Sequence, residues 1–253
     1  MEPSRRPTTT APGDAGRPDP SWARLYTVGG YAAIVYVLLV AIPVVLIFTA
    51  PLPPTEGREL LEYIADHKVV YLTQLLCFVG LAVPALVVFT AVAVALKGVD
   101  KSVAAIGALL GIVSEVIALA TAASPQSLQG GLVLLSSSYA EAETDAERAG
   151  LAISADALIA STNAVGWGGV LTAAAILILS TLMRHSCFGR TVAYLGVVTG
   201  ALGIVSEALQ PVLGLGYLLY GLLLPTWFAL VAWKLLTAGP GGAGRGPIGP
   251  ALQ

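Results

Sequence analysis

The stretch VYLTQLLCFVGLAVPALVVFTAVAVAL, residues 70–96, decides the fold class. It holds no charged residue, and it exceeds the roughly 20 apolar residues that a helix needs to cross the hydrocarbon core of a bilayer. Lipid offers the backbone no hydrogen bonds, so a segment like this satisfies its own N–H and C=O groups as a helix. We therefore interpret residues 70–96 as a transmembrane helix.

Five further apolar runs resemble this one in length. They cover residues 29–50, 102–123, 158–183, 191–213 and 215–236. The first run is longer than the apolar region of a secretory signal, so we expect it to be retained as a helix. The pattern predicts an all-α, polytopic membrane bundle of six transmembrane helices over residues 26–238. Disordered cytoplasmic tails are predicted at 1–25 and 239–253, where Pro and Gly replace large apolar residues.

The composition agrees with a lipid-facing surface. Of the 253 residues, 56% are hydrophobic and 11% are charged, against roughly 25% charged residues in soluble domains. The net charge of −2 gives no basic signal for nucleic acid, so nucleic acid is excluded as a partner. We expect membrane lipid to surround the protein, and the sequence leaves open whether it forms a homo-oligomer.

Lys and Arg are distributed unevenly about the predicted spans. One side would carry Arg5, Arg6, Arg17, Arg24, Lys97, Lys101, Arg184, Arg190, Lys234 and Arg245, and the other only Arg58, Lys68 and Arg148. Cytoplasmic loops are enriched in basic residues. The pattern therefore predicts a cell-membrane protein with both termini in the cytoplasm.

The pentapeptide Gly-Ile-Val-Ser-Glu occurs twice, at residues 111–115 and 203–207. Each copy lies in an apolar run that follows a basic loop. This indicates duplication of a two-helix hairpin, with residues 75–123 matching residues 163–213. Because both copies would run outward, the repeats should be parallel, as the halves of some transporters are.

Each pentapeptide ends in an acidic residue inside an apolar run, Glu115 and Glu207. A charge there is costly and usually faces the interior of the bundle, a partner or water. Neither run supplies a Lys or Arg. One interpretation is a functional carboxylate pair that titrates together. The alternative is two protonated side chains that hold helices together by hydrogen bonds.

Other polar and aromatic residues at similar depth could line a cavity with the two glutamates. They are Asn163, Trp167, Gln74, Asp156, Gln210, Tyr220 and Trp227. Asp156, Asn163 and Trp167 share one helical face. The structural alternative for the amides is hydrogen bonding between helices. No residue cluster points to a metal or to another cofactor.

The chain also resembles a bacterial integral-membrane family of unknown function with six predicted helices. The resemblance lies in the surface segment Glu59-Leu-Leu-Glu-Tyr-Ile, the span ending at Leu96-Lys97 and the segment Phe188-Gly-Arg-Thr-Val-Ala-Tyr-Leu-Gly196. It covers about residues 28–236. It implies six helices and carries over no catalytic residue.

Three functions follow from these residues. The first is binding or proton-linked transport of a small apolar or cationic molecule by Glu115 and Glu207. The second is a membrane-embedded enzyme for a lipid or isoprenoid, resembling terpene cyclases in its logic. One glutamate would then act as general acid and the other as base, against an aromatic wall of Trp167, Tyr220 and Trp227. The third is a structural or partner-binding subunit.

Overall fold

The computed structural model describes residues 18–46, 48, 50–121, 131–164, 167–209 and 216–238, without the side chains of 121, 161–164, 216 and 217. Within these ranges the chain is α-helical and contains no β-strand. Residues 1–17 and 239–253, which belong to the predicted tails, lie outside the described residues. The all-α prediction is therefore confirmed for the described part of the chain.

The helices follow one another closely along the chain. They are α1 (Ala23–Leu46), α2 (Gly57–Asp66), α3 (Lys68–Gly80), α4 (Ala82–Leu96), α5 (Lys101–Thr121), α6 (Gly131–Glu141), α7 (Asp145–Ala164), α8 (Trp167–Met183), α9 (Gly189–Ala208) and α10 (Gly216–Ala238). Five stretches are long and apolar enough to cross a membrane: Pro20–Leu46, Lys68–Leu96, Lys101–Ala120, Gly189–Ala208 and Leu218–Ala238. The second of these joins α3 to α4 through Leu81.

Of the predicted fourth span, residues 158–183, the structure describes residues 158–164 as the end of α7 and residues 167–183 as α8, which has 17 described residues. At about 1.5 Å per residue α8 is about 25 Å long, slightly less than the roughly 30 Å of a hydrocarbon core. The end of α7 instead packs beside α2 and α6, because Ala155 and Ile159 join the apolar cluster of those helices.

Six helices form a closed ring in chain order: α1, α4, α5, α8, α9 and α10, with α10 returning to α1. Neighbouring helices of the ring run antiparallel. In the pair α5 and α8, for example, Gly107 lies against Leu179, whereas Ser114, further along α5, bonds to Gly168, which comes earlier in α8. The interior is filled by apolar side chains. Tyr36 of α1 stacks on Phe228 of α10 with ring centroids 3.8 Å apart. The ring is therefore a packed bundle.

Close helix approach depends on Gly200 of α9. A Cβ atom there would lie 2.7 Å from the carbonyl oxygen of Ala173 and from the backbone nitrogen of Leu177 in α8. Small residues permit this kind of backbone contact between membrane helices. The spacing Gly196-xxx-Gly200 thus has the packing role that is typical of such motifs.

A second apolar cluster is formed by α2, α6 and α7 together with Tyr71 of α3, and we call α2, α6 and α7 the cap. The segment Glu59-Leu-Leu-Glu-Tyr-Ile lies in α2, whose Leu60, Leu61 and Ile64 are buried in the cap. Ser136 of α6 donates a hydrogen bond to the carbonyl oxygen of Leu61 over 2.6 Å. Helix α6 was not predicted, because its 11 residues include three serines and show little amphipathic pattern.

Before α1, helical structure starts earlier than the predicted boundary at residue 26. Residues Pro20–Trp22 form a 3₁₀ turn that leads into α1. Asp19 accepts hydrogen bonds from Ser21 and pairs with Lys97 over 2.8 Å, and the Lys97 ammonium lies 5.1 Å from the Trp22 ring centroid. Residues 19–22 are thereby attached to the end of α4.

Candidate functional site

The two copies of Gly-Ile-Val-Ser-Glu pack against the same helix from different sides. The first copy, on α5, contacts the start of α8 through Ser114, whose Oγ donates to the Gly168 carbonyl oxygen over 2.6 Å. The second copy, on α9, places the Glu207 carboxyl directly over Gly169. Helix α8 therefore brings the repeated motifs to one end of the ring.

Glu115 is enclosed between α5 and α8, with 8% of its surface exposed. Thr172 Oγ1 donates a hydrogen bond to Glu115 Oε1 over 3.2 Å. The Ser114 hydroxyl is also within hydrogen-bonding distance of the Thr172 hydroxyl. When Glu115 holds a proton, a hydrogen-bonded chain can run from its carboxyl group through the Thr172 and Ser114 hydroxyls to the Gly168 carbonyl, with each hydroxyl donating to the next oxygen. Such a chain orients the carboxyl group and gives a proton a defined neighbour.

Glu207 has a different environment from Glu115. It is half-buried, and its carboxyl occupies the space that a Cβ atom on Gly169 would take. A glycine at this position is required for the carboxyl to approach the α8 backbone so closely. The duplicated glutamates are therefore unequal in exposure and in their contacts with α8.

The two carboxyl groups lie on neighbouring faces of α8. Gly168 and Thr172 are four residues apart and share the face toward α5, whereas Gly169 is about 100° further round. Both contacts fall between residues 168 and 172 of α8. This stretch of α8 is thus flanked by two acidic side chains.

The direction of the repeats follows from the same contacts. Helix α5 is antiparallel to α8, and α8 is antiparallel to α9, since Ser180 lies at Gly196 and Ala173 lies at Gly203. Helices α5 and α9 are therefore parallel, as the repeated motif predicts. The two copies differ in their contacts. Glu207 on α9 lies against α8, which belongs to the same hairpin, whereas Glu115 on α5 lies against α8 from the other hairpin.

Of two further predicted site residues, Asp156 lies in the cap and Gln74 lies on α3. Asp156 of α7 accepts a hydrogen bond from the backbone N–H of Gly57 over 2.6 Å and so satisfies a free donor at the start of α2. Gln74 of α3 is buried one turn after Tyr71, whose ring belongs to the apolar cluster of the cap. Their contacts assign Asp156 a structural capping role and place Gln74 in a separate region from Thr172.

The predicted aromatic residues are spread over the bundle. Trp167 opens α8 with 72% of its surface exposed. Tyr220 is buried over Gly203, and Trp227 is buried over Gly196 one heptad away. The predicted roles of Asn163 and Gln210 concern side chains outside the described part of the chain.

Sequence reasoning missed Thr172 and Ser114 as partners of Glu115. Ser114 precedes the glutamate in the repeated motif, which could have drawn attention to it. Thr172 gave no signal, since a threonine in an apolar helix ordinarily bonds to its own backbone. Within the described residues, no group of three or more His, Cys, Asp or Glu side chains could hold a metal ion.

Comparison with protein-family models, with curated proteins and with solved structures finds no match to this chain. The observations that bear on its function are therefore the geometry of the two glutamates and of the helix between them.

Proposed function

We propose that this protein binds, and transports in exchange with protons, a small cationic molecule with an apolar body. Glu115 and Glu207 would be the proton and cation sites. The observation that carries the proposal is the placing of both glutamates against one stretch of α8, residues 168–172. The proposal includes α8 as a sixth span, a bacterial cell-membrane location and cytoplasmic termini.

The chemistry of this arrangement supports exchange between a proton and a cation. Glu115 is buried, and a buried carboxyl group is stabilised when it holds a proton, because desolvation penalises the charged form. A ligand cation supplies an opposite charge and displaces that proton. Thr172 can then donate a hydrogen bond to the ionised Glu115 carboxyl. Both states of Glu115 therefore have a source of stabilisation.

The position of the glutamates also supports transport. Both lie in long apolar helices, and ionisable residues inside a membrane commonly mark the path of an ion or a substrate.

The enzyme hypothesis has less support from the geometry. It needs Trp167, Tyr220 and Trp227 in one aromatic wall around a reacting carbocation. Trp167 is exposed, while Trp227 lies deep in the packed core with its ring centroid 5.2 Å from that of Phe228. The glutamates contact glycines and a threonine in α8, so their surroundings suit an ion better than a cyclising hydrocarbon.

The test is equilibrium binding of tetraphenylphosphonium, a lipophilic cation, to the purified protein in detergent. We expect binding that strengthens from pH 6 to pH 8, together with proton release in weakly buffered solution. Glu115→Gln and Glu207→Gln preserve side-chain size and remove the titration. Each should weaken binding at pH 8 by at least about tenfold, or about 1.4 kcal/mol, and abolish the pH dependence.

The matched control is Glu59→Gln, which changes an exposed acidic residue of α2. It should bind the cation like the unaltered protein. Equal binding by the Glu115→Gln, Glu207→Gln and Glu59→Gln proteins would contradict the proposal and favour the alternative in which the glutamates only hold helices together.

A further inference from the structure

Two polar atoms are buried on one face of α3 with no hydrogen-bond partner among the described residues. They are the hydroxyl oxygen of Tyr71 and the side-chain carbonyl oxygen of Gln74. Tyr71 is 0% exposed and Gln74 is 5% exposed. Residues three apart on a helix are neighbours on its surface. One stripe of α3 therefore presents a hydrogen-bond donor and an acceptor that both lack a partner.

The surroundings of Tyr71 are apolar. Tyr71 belongs to one buried cluster with Leu60, Leu61 and Ile64 of α2 and Leu132 of α6. The charged side chains of α2 point away, since Arg58, Glu59 and Glu62 are all exposed. A buried polar atom without a partner costs free energy that a hydrogen-bonding ligand would recover. Few polar groups in an apolar setting are typical of small-molecule sites.

We propose that the seam between α3 and the cap binds a neutral amphiphile with a hydroxylated head group, such as a monoacylglycerol. Hydroxyl groups both accept and donate, so they match the Tyr71 O–H and the Gln74 carbonyl together. The apolar side chains around them suit an acyl chain. A charged head group would lose its hydration without meeting an opposite charge in this cluster.

This site is separate from the glutamate pair. Helix α3 packs against α1, α2 and α4, whereas the glutamates contact α8. The inference therefore does not depend on cation transport and can fail or hold independently of it.

The experiment measures the melting temperature of the full chain in phosphatidylcholine nanodiscs, with monoolein or methyl oleate added. Monoolein carries two free hydroxyls, and methyl oleate has a similar acyl chain and none. We expect monoolein to raise the melting temperature in a concentration-dependent manner, because a ligand that binds the folded state stabilises it. Methyl oleate should leave it unchanged.

Tyr71→Phe and Gln74→Leu remove the polar atoms while nearly keeping the side-chain volumes. Without monoolein each should raise the melting temperature, by about 2–4 °C if about 1 kcal/mol is recovered, and neither should respond to monoolein. Tyr63→Phe is the matched control, since the Tyr63 hydroxyl donates to the Pro51 carbonyl oxygen over 2.8 Å. It should lower the melting temperature and preserve the monoolein response.

Three results would overturn the inference. In the first, the unaltered protein responds equally to monoolein and methyl oleate. In the second, Tyr71→Phe and Gln74→Leu destabilise the protein as Tyr63→Phe does, which would show that the polar atoms of Tyr71 and Gln74 already have partners. In the third, Tyr71→Phe and Gln74→Leu respond to monoolein like the unaltered protein, which would show that monoolein binds elsewhere.

Discussion

The Thr172 hydroxyl of α8 donates a hydrogen bond to the Glu115 carboxyl of α5 across 3.2 Å. This contact joins the two predicted hairpins, since α5 closes the first and α8 opens the second. It also gives one copy of the repeated motif a polar partner inside the bundle. The first prediction tests its contribution to stability.

Replacing Thr172 by Val keeps the shape of the side chain and removes the hydroxyl group. Glu115 and Ser114 both lose a hydrogen-bonding neighbour, so we expect a loss of about 1–3 kcal/mol in the free energy of unfolding. Denaturant titration of the purified protein measures it. The control is Thr226→Val, since Thr226 is exposed and bonds only within α10. Equal losses for both variants would show that the contact with Glu115 adds no stability.

The double variant Glu115→Gln/Glu207→Gln tests whether the carboxyl groups act as a unit. They flank one stretch of α8, so removing either should disable the same exchange of a proton for a cation. We expect the double variant to lose little more tetraphenylphosphonium affinity than a single variant does, because groups acting together are non-additive. Losses that add in free energy would indicate two independent sites.

Gly200→Ala tests the approach of α9 to α8. The added methyl would lie 2.7 Å from backbone atoms of Ala173 and Leu177, and these cannot rotate away. We expect a loss of about 1–3 kcal/mol in the free energy of unfolding. At Gly150 of α7 an added Cβ meets nothing within 4 Å. Gly150→Ala should therefore be neutral or stabilise by about 0.4–1 kcal/mol.

The ion pair between Asp19 and Lys97 predicts a dependence on pH. Hydrogen bonds from Lys97 and Ser21 lower the pKa of Asp19 from 3.8 to about 2. Because the folded-state pKa is the lower one, the pair stabilises the folded chain above pH 3.8, and this contribution disappears as the pH falls toward 2. A carbon NMR titration of the Asp19 carboxyl should give the low pKa. In Lys97→Met it should rise toward 3.8, and an unchanged value would contradict the pairing.

The proposed orientation can be tested by labelling Cys187, which lies between α8 and α9. Cys77 is buried and is first replaced by Ala. A membrane-impermeant thiol reagent should label Cys187 only after cells are permeabilised, and labelling is best done above pH 8 because burial raises the pKa of this thiol. A cysteine replacing the exposed Ser138 of α6, in a chain without other cysteines, is the control and should react in intact cells. Labelling of Cys187 in intact cells would reverse the topology.

The sequence by itself determined the class of the protein and the residues worth attention. Long uncharged runs such as residues 70–96 predict helices whatever their neighbours are, because backbone hydrogen bonds in lipid must be made within the segment. The repeat at 111–115 and 203–207 identified the two glutamates and the parallel direction of their helices. Both conclusions depend on local composition and on the order of elements along the chain.

Only the tertiary structure decided what each of these side chains contacts. It placed both motifs against α8, assigned Asp156 to the start of α2, and placed Tyr71 in the apolar cluster of the cap. It also packed the start of the predicted fourth span with the cap, because Ile159 is buried in the apolar cluster of α2 and α6. Apolar periodicity indicates that a side chain is buried. Which neighbour buries it depends on packing between segments that are distant in the sequence, and the pattern within one segment does not identify its packing partner.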